Sequence, residues 1–158
     1  MKTRLAREIG VARATMWYRR ALMRTVRAAK KSRVPFEITL RQPMGNLGRR
    51  MSLVAKRARG ASVIVGCDIP DLSPAILRQA ADAVRRFDLV LGPARDGGYY
   101  LVGLRTPAHA FRLYDSVRWS SAHALADTLK NVPKHWRVKF LPMLSDVDVV
   151  EDLAKEQR

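Results

Sequence analysis

The chain has 158 residues, 47% of them apolar, with one cysteine and a formal net charge of +16. That length suits one domain, residues 1–158, with a substantial core. A single cysteine excludes an internal disulfide and a cysteine-built metal cluster, and no apolar run reaches the roughly 18 residues a membrane span needs.

No apolar signal-peptide core follows the charged start, so a reducing cytoplasm is the expected compartment. The charge is unevenly spread. Residues 1–60 carry 17 Lys/Arg against 2 Asp/Glu, whereas residues 61–158 carry 13 against 12. Such asymmetry points to a polyanionic partner: nucleotide, nucleic acid or an acidic membrane surface. A solvated helix face gives the same composition.

In chain order, Val11, Thr15, Tyr18, Leu22, Val26 and Ala29 recur at spacings of three and four, which predicts a helix over 11–30. Phe36–Leu40 is a short strand candidate. Gln42-Pro43-Met44-Gly45-Asn46-Leu47-Gly48 is a loop by its Pro and Gly content, and a helix is expected from Arg49 to about Arg59. Val63-Ile64-Val65 is apolar on both faces, as a central parallel strand should be, and Cys67 reads as a small core residue inside that buried strand. A helix follows from Pro74 to about Arg86. Asp88–Leu91 and Tyr99–Leu104 are strands on either side of a turn at Gly92–Gly98. A short helix over 107–115 and a helix from the Ser120-Ser121 cap to about Asn131 come next. Val138–Leu141 is a strand and Val150–Lys155 a terminal helix. Alternating strands and helices predict a three-layer α/β/α domain with a mostly parallel sheet.

Three acidic features could carry chemistry. Asp68 stands at the carboxyl end of the Val63 strand, where open α/β sheets bind ligands. The Pro70 turn behind it suits a carboxylate that holds Mg²⁺ against phosphate. The other use of this turn is helix capping, through Asp71 or Ser73 with Pro74 in the first turn; that accounts for Ser73 and Pro74 but not Asp68. Asp146 and Asp148, two apart in an extended segment, point the same way and could complete the metal site. One of them could instead cap the terminal helix. Asp96-Gly97-Gly98 permits close backbone approach to a ligand, and Asp96 could accept from a sugar hydroxyl or orient an acceptor. A hairpin turn uses the same residues.

Lys2 and Arg4 could meet phosphate, or form a basic chain tip. Gly45 and Gly48 with Gln42 could frame a base or ribose. His109, His123 and His135 have no metal-ligand spacing. Trp119 reads as a core anchor before a helix cap.

Together these motifs resemble one family. Lys2-Thr3-Arg4-Leu5, Gln42 with Gly45-Asn46-Leu47-Gly48, Gly66-Cys67-Asp68-Ile69-Pro70-Asp71-Leu72, the run Leu91–Leu104, Trp119-Ser120-Ser121 and Asp146-Val147-Asp148 are similar in order and spacing to bacterial glycosyltransferase-A-like proteins. These belong to the nucleotide-diphospho-sugar transferase superfamily and are related to the guanylyltransferase of deazaflavin-cofactor synthesis. The resemblance implies a Rossmann-like GT-A fold with a nucleotide or nucleotide-sugar donor and Mg²⁺ (or Mn²⁺). By it, Asp68, Asp146 and Asp148 would hold the metal, and Lys2, Arg4, Gln42, Gly45 and Gly48 would meet the nucleotide and its phosphates. Asp96 would act in catalysis beside Asp68, and Gly97, Gly98 and Ser120 would face an acceptor. The family carries a further strand and a Pro-Gly loop before its Lys-Thr-Arg-Leu, so the expected fold is an N-terminally truncated version. Asn46 and Arg49 stand where the family tends to be acidic.

The expected function is a Mg²⁺-dependent glycosyl or nucleotidyl transferase. The alternative is an inactive or truncated relic of the family that binds nucleic acid or another polyanion through its basic part.

Overall fold

The computed structural model describes residues 3–40, 44–110 and 112–145. Helix α1 (Thr3–Ile9) meets α2 (Val11–Ser32) at Gly10, whose φ of 82° interrupts the helical path. Helix α2 buries Ala14, Ala21 and Ala28, seven residues apart, and this flat stripe lets it lie close against α4. Helix α3 (Leu47–Arg57) starts at Asn46, whose Oδ1 accepts from Arg49 N at 2.9 Å. Strand β1 (Ser62–Val65) and helix α4 (Pro74–Ala83) follow. Ser73 is the N-cap of α4: its Oγ accepts from Ile76 N at 3.3 Å, with Pro74 in the first turn. Strands β2 (Leu89–Pro93) and β3 (Tyr99–Leu104), a 3₁₀ turn (Pro107–Ala110), helix α5 (Ala124–Lys130) and strand β4 (Val138–Phe140) complete the described elements.

The sheet runs β1-β3-β2-β4. Alternate residues of its strands feed two cores. Val90, Tyr100 and Leu101 pack with Ile69, Leu77, Ala80 and Val84 on the side of α2 and α4. Leu89, Leu91, Val102 and Leu104 pack with Met51, Ala55, Leu113 and Tyr114 on the side of α3. The result is the expected α/β/α layering.

The sheet is mixed rather than mostly parallel. β1, β2 and β4 run one way, and β3 runs against both of its neighbours. The cause is local: five residues join β2 to β3, whereas parallel neighbours need a crossover of about a dozen residues or more. β1 accordingly is no central parallel strand. It lies at the edge of the described sheet, antiparallel to β3 and only half-buried.

Phe36–Leu40 does not join the sheet; it is irregular, and Phe36, Ile38 and Leu40 are exposed. Its alternating pattern lacks a partner ladder among the described residues. Cys67 lies beyond the end of β1 and is half-buried. The expected helices over 74–86 and 107–115 shorten to Pro74–Ala83 and the 3₁₀ turn. Lys2, Gln42, Asp146, Asp148 and the expected helix over Val150–Lys155 lie outside the described residues.

Candidate active site at the carboxyl edge of the sheet

Because β1, β2 and β4 point the same way, the turns that leave them gather on one edge. Gly66 N donates to Tyr100 O at 2.9 Å, which ties the exit of β1 to the start of β3. Asp68 follows two residues later and is half-buried. Its Oδ1 lies so near Gly66 that a Cβ there would sit 2.9 Å away.

Helix α2 crosses this corner. Thr25 Oγ1 donates to Cys67 O at 3.3 Å. The Tyr18 hydroxyl reaches the same corner and meets the Cys67 side chain. A hydrogen bond with the Cys67 side chain, then burial, then the nearby negative charges push its hydroxyl up to about 12. Sequence periodicity gave Tyr18 only a place on a helix face; the long-range packing of α2 gives it this position.

The β2–β3 turn sits on the same edge. Asp96 is exposed, and its Oδ1 accepts from Gly98 N at 2.8 Å, an Asx turn closing on itself. Gly97 has φ of 85°, and a Cβ there would collide with the Ala122 backbone, 2.6 Å from Cα. Leu125 N donates to Gly97 O at 3.0 Å, so the loop before α5 is seated on the turn. That loop is clamped in turn. Arg118 donates to Asp127 through Nε at 2.7 Å, through a second guanidinium nitrogen at 2.9 Å and through its backbone N at 3.2 Å. These bonds, with Lys130 at 3.3 Å, hold the Asp127 carboxyl well below the usual carboxylate range. Residue-type patterns did not reveal this clamp; a buried Asp at a helix's fourth position was the only signal.

Ser120 is exposed with φ of 57°. Ser121 Oγ donates to Arg118 O at 2.6 Å and accepts from His123 N at 3.2 Å, so Ser121 shapes the turn and His123 stands at the N-cap. Trp119 is an anchor as expected. Its ring stands edge-on to Tyr99 at 6.2 Å and 5.9 Å from Tyr114. Gly48 makes room for it: a Cβ there would fall 2.8 Å from the indole and 2.6 Å from Tyr114 Cβ. The start of α3 is thereby held at the same edge. Arg4 lies in α1, and Gly45 precedes α3 with φ of 117°.

A groove of about 600 Å³ runs along α3 toward Ala110 and the segment 112–116, lined by Asn46, Arg49, Leu53, Lys56, Arg112 and Tyr114 among others. Neither Asp68 nor Asp96 lines it. Among the described residues no three His, Cys, Asp or Glu side chains form a metal cluster. β4 reaches the edge too: Leu144 N donates to Pro93 O at 3.1 Å, and Leu144 bridges to Ala94. Asp146 is two residues further on in the sequence.

Residues 4–121 match a bacterial family described as "Uncharacterized protein conserved in bacteria (DUF2064)". The chain belongs to the DUF2064 family. Its fold is also that of a crystal structure described as a "putative nucleotide-diphospho-sugar transferase" from Desulfovibrio desulfuricans G20. The two share 27% identity and a TM-score of 0.80, over 97% of this chain and 78% of the other. No curated protein matches the chain. Membership of the nucleotide-diphospho-sugar transferase superfamily, expected from the motifs, rests on this likeness and on the family match. No helix among the described residues is long and apolar enough to cross a membrane.

Proposed function

We propose that this DUF2064 protein is a transferase that uses a nucleotide or nucleotide-sugar donor bound at the carboxyl edge of its sheet. The observation that carries the reading is Asp68, half-buried just past the end of β1 at that edge, in a fold shared with a nucleotide-diphospho-sugar transferase-like structure. The donor chemistry fits a hard divalent cation such as Mg²⁺ or Mn²⁺, because the edge offers a carboxylate and no soft ligand is required. Asp68 with Asp146 and Asp148 would hold that ion. When bound, it would neutralise charge on the donor's phosphate oxygens.

The chain's own groups divide the remaining work. Lys2 and Arg4 would meet the phosphates, adding fixed positive charge where negative charge grows in the transition state. Gln42, Gly45 and Gly48 would flank the nucleotide. Gly97, Gly98 and Ser120 would face the acceptor. Asp96 keeps Oδ2 available to accept from an acceptor hydroxyl while Oδ1 closes the turn.

Two outcomes share this site. In glycosyl transfer an acceptor oxygen bonds to the sugar's anomeric carbon, and a nucleoside diphosphate leaves. In nucleotidyl transfer, as in deazaflavin-cofactor guanylyl transfer, an acceptor phosphate bonds to the α-phosphorus, and pyrophosphate leaves.

Calorimetric titration with nucleoside triphosphates and nucleotide-sugars, with and without Mg²⁺, tests the proposal. Saturable binding that needs both Mg²⁺ and Asp68, and is lost in Asp68→Ala, is expected. Binding to any polyanion that is indifferent to Mg²⁺ and to Asp68→Ala overturns it.

A further inference from the structure

The solvent face of α2 has no part in the site just described. Over its 22 residues the helix carries seven Lys/Arg and no Asp or Glu. Ala14, Ala21 and Ala28 mark the face turned to the protein. The opposite face is not purely polar. Met16 and Met23, seven apart, are 57% and 53% exposed. Cations border this apolar line on both sides. Arg13, Arg20 and Arg27, again seven apart, run along one flank, and Arg19 and Lys30 along the other, all exposed. Thus one helix face presents a methionine seam between two basic rails.

A purely solvated face has no need of the methionines, and a nucleic-acid backbone gains nothing from them. An anionic bilayer surface uses both. The rails meet lipid phosphates, and the unbranched, flexible methionine side chains enter the acyl boundary between them. Basic side chains near such a surface each contribute about 1 kcal/mol.

We infer that the outer face of α2 docks the protein peripherally on an anionic lipid surface, its axis in the membrane plane. Thr25 and Tyr18 fasten α2 to the exit of β1. Docking therefore sets the carboxyl edge of the sheet about one helix diameter, roughly 10 Å, from the headgroups, with no described segment crossing the bilayer. The inference does not depend on the proposed donor.

Co-sedimentation of the full chain with vesicles decides it. The vesicles are phosphatidylcholine alone, or phosphatidylcholine with about one-third phosphatidylglycerol. Binding to the anionic vesicles only is expected. Arg20→Glu with Arg27→Glu should reduce partitioning about a hundredfold or more. Met16→Ser with Met23→Ser keeps every charge and should reduce it about tenfold. All four positions are outside the core, and far-UV circular dichroism confirms that the variants fold. A parallel arm uses duplex and single-stranded DNA. Equal affinity for both vesicle types overturns the inference. So does anionic binding that the methionine pair leaves unchanged and DNA matches, which would assign the face to nucleic acid.

Discussion

Two acidic turns leave the same edge of the sheet and are built differently. After β2, Asp96-Gly97-Gly98 is consumed by folding. One carboxylate oxygen closes the turn, the left-handed φ of Gly97 shapes it, and the Ala122 backbone lies where a side chain would go. After β1, Gly66-Cys67-Asp68 is overlaid by α2, with Thr25 on the Cys67 carbonyl and the Tyr18 hydroxyl on the Cys67 side chain. At one turn Asp96 Oδ1 and Gly97 serve the architecture, and Asp96 Oδ2 is left over. At the other the aspartate is half-buried at the end of β1 beneath α2. The two turns should therefore separate under substitution: one in stability, the other in ligand binding.

The largest effect is expected at Gly97. In Gly97→Val a β-branched residue must take a positive φ and displace the Ala122 backbone. Strain and overpacking together should cost about 3 kcal/mol. Urea denaturation measures it as a lower midpoint at unchanged slope. A loss below about 0.5 kcal/mol, within the range of ordinary surface substitutions, would mean that the loop before α5 moves freely over the turn, and the contrast between the turns would weaken.

The second effect comes through the clamp that seats that loop. Arg118 and Lys130 hold the Asp127 carboxyl below its ordinary value. The folded state therefore binds that proton less readily than the unfolded chain does. The stabilisation is complete above the unfolded carboxylate value of about 4 and is lost as pH falls through the depressed folded value. Asp127→Asn should lower stability at neutral pH and flatten its fall between pH about 4 and 2. Thermal melts of both proteins across that interval check this. Parallel curves at all pH values would show that the clamp contributes no acid sensitivity.

These contacts also mark how far the sequence could be read. α3 and α4 were legible because their buried faces repeat every three or four residues, and Ser73-Pro74 marks a helix start by local chemistry. α2 was legible as a helix, but the face it buries is marked by Ala14, Ala21 and Ala28, whereas Val11 and Thr15 of the expected face are exposed. The apolar runs at β1, β2 and β3 were legible as strands. Their directions were not, because an apolar strand buried on both faces looks alike in parallel and antiparallel sheets. The short β2–β3 connection was the signal that outweighs it. Phe36–Leu40 has strand periodicity, but periodicity supplies no neighbour. At the candidate site, Asp68 was singled out from its place after an apolar strand, and the structure has it just past β1. Tyr18 and the Arg118–Asp127 clamp were not found, since each depends on packing between segments distant in the chain or turned by a loop. Gly97 was singled out for close approach to a ligand; the constraint the structure shows there comes from Ala122, 25 residues away in sequence.

The smallest effect separates the two roles most directly. Asp96→Ala removes the acceptor for Gly98 N. The bond is exposed, so the loss should be about 1 kcal/mol or less. Asp96→Asn keeps the acceptor oxygen and should restore stability to within about 0.5 kcal/mol of the original, as most surface substitutions do. Denaturation of the two variants side by side reads the difference. If Asn rescues stability and donor binding is unchanged in both variants, Asp96 serves the turn alone. If Asn rescues stability while turnover falls in both, the second carboxylate oxygen is used on substrate, and the β2–β3 turn joins Asp68 in the chemistry. Equal destabilisation by Ala and Asn would instead mean that the turn depends on charge at Asp96 and not on its hydrogen bond. The turn would then resemble its partner after β1 more than the Asx geometry suggests.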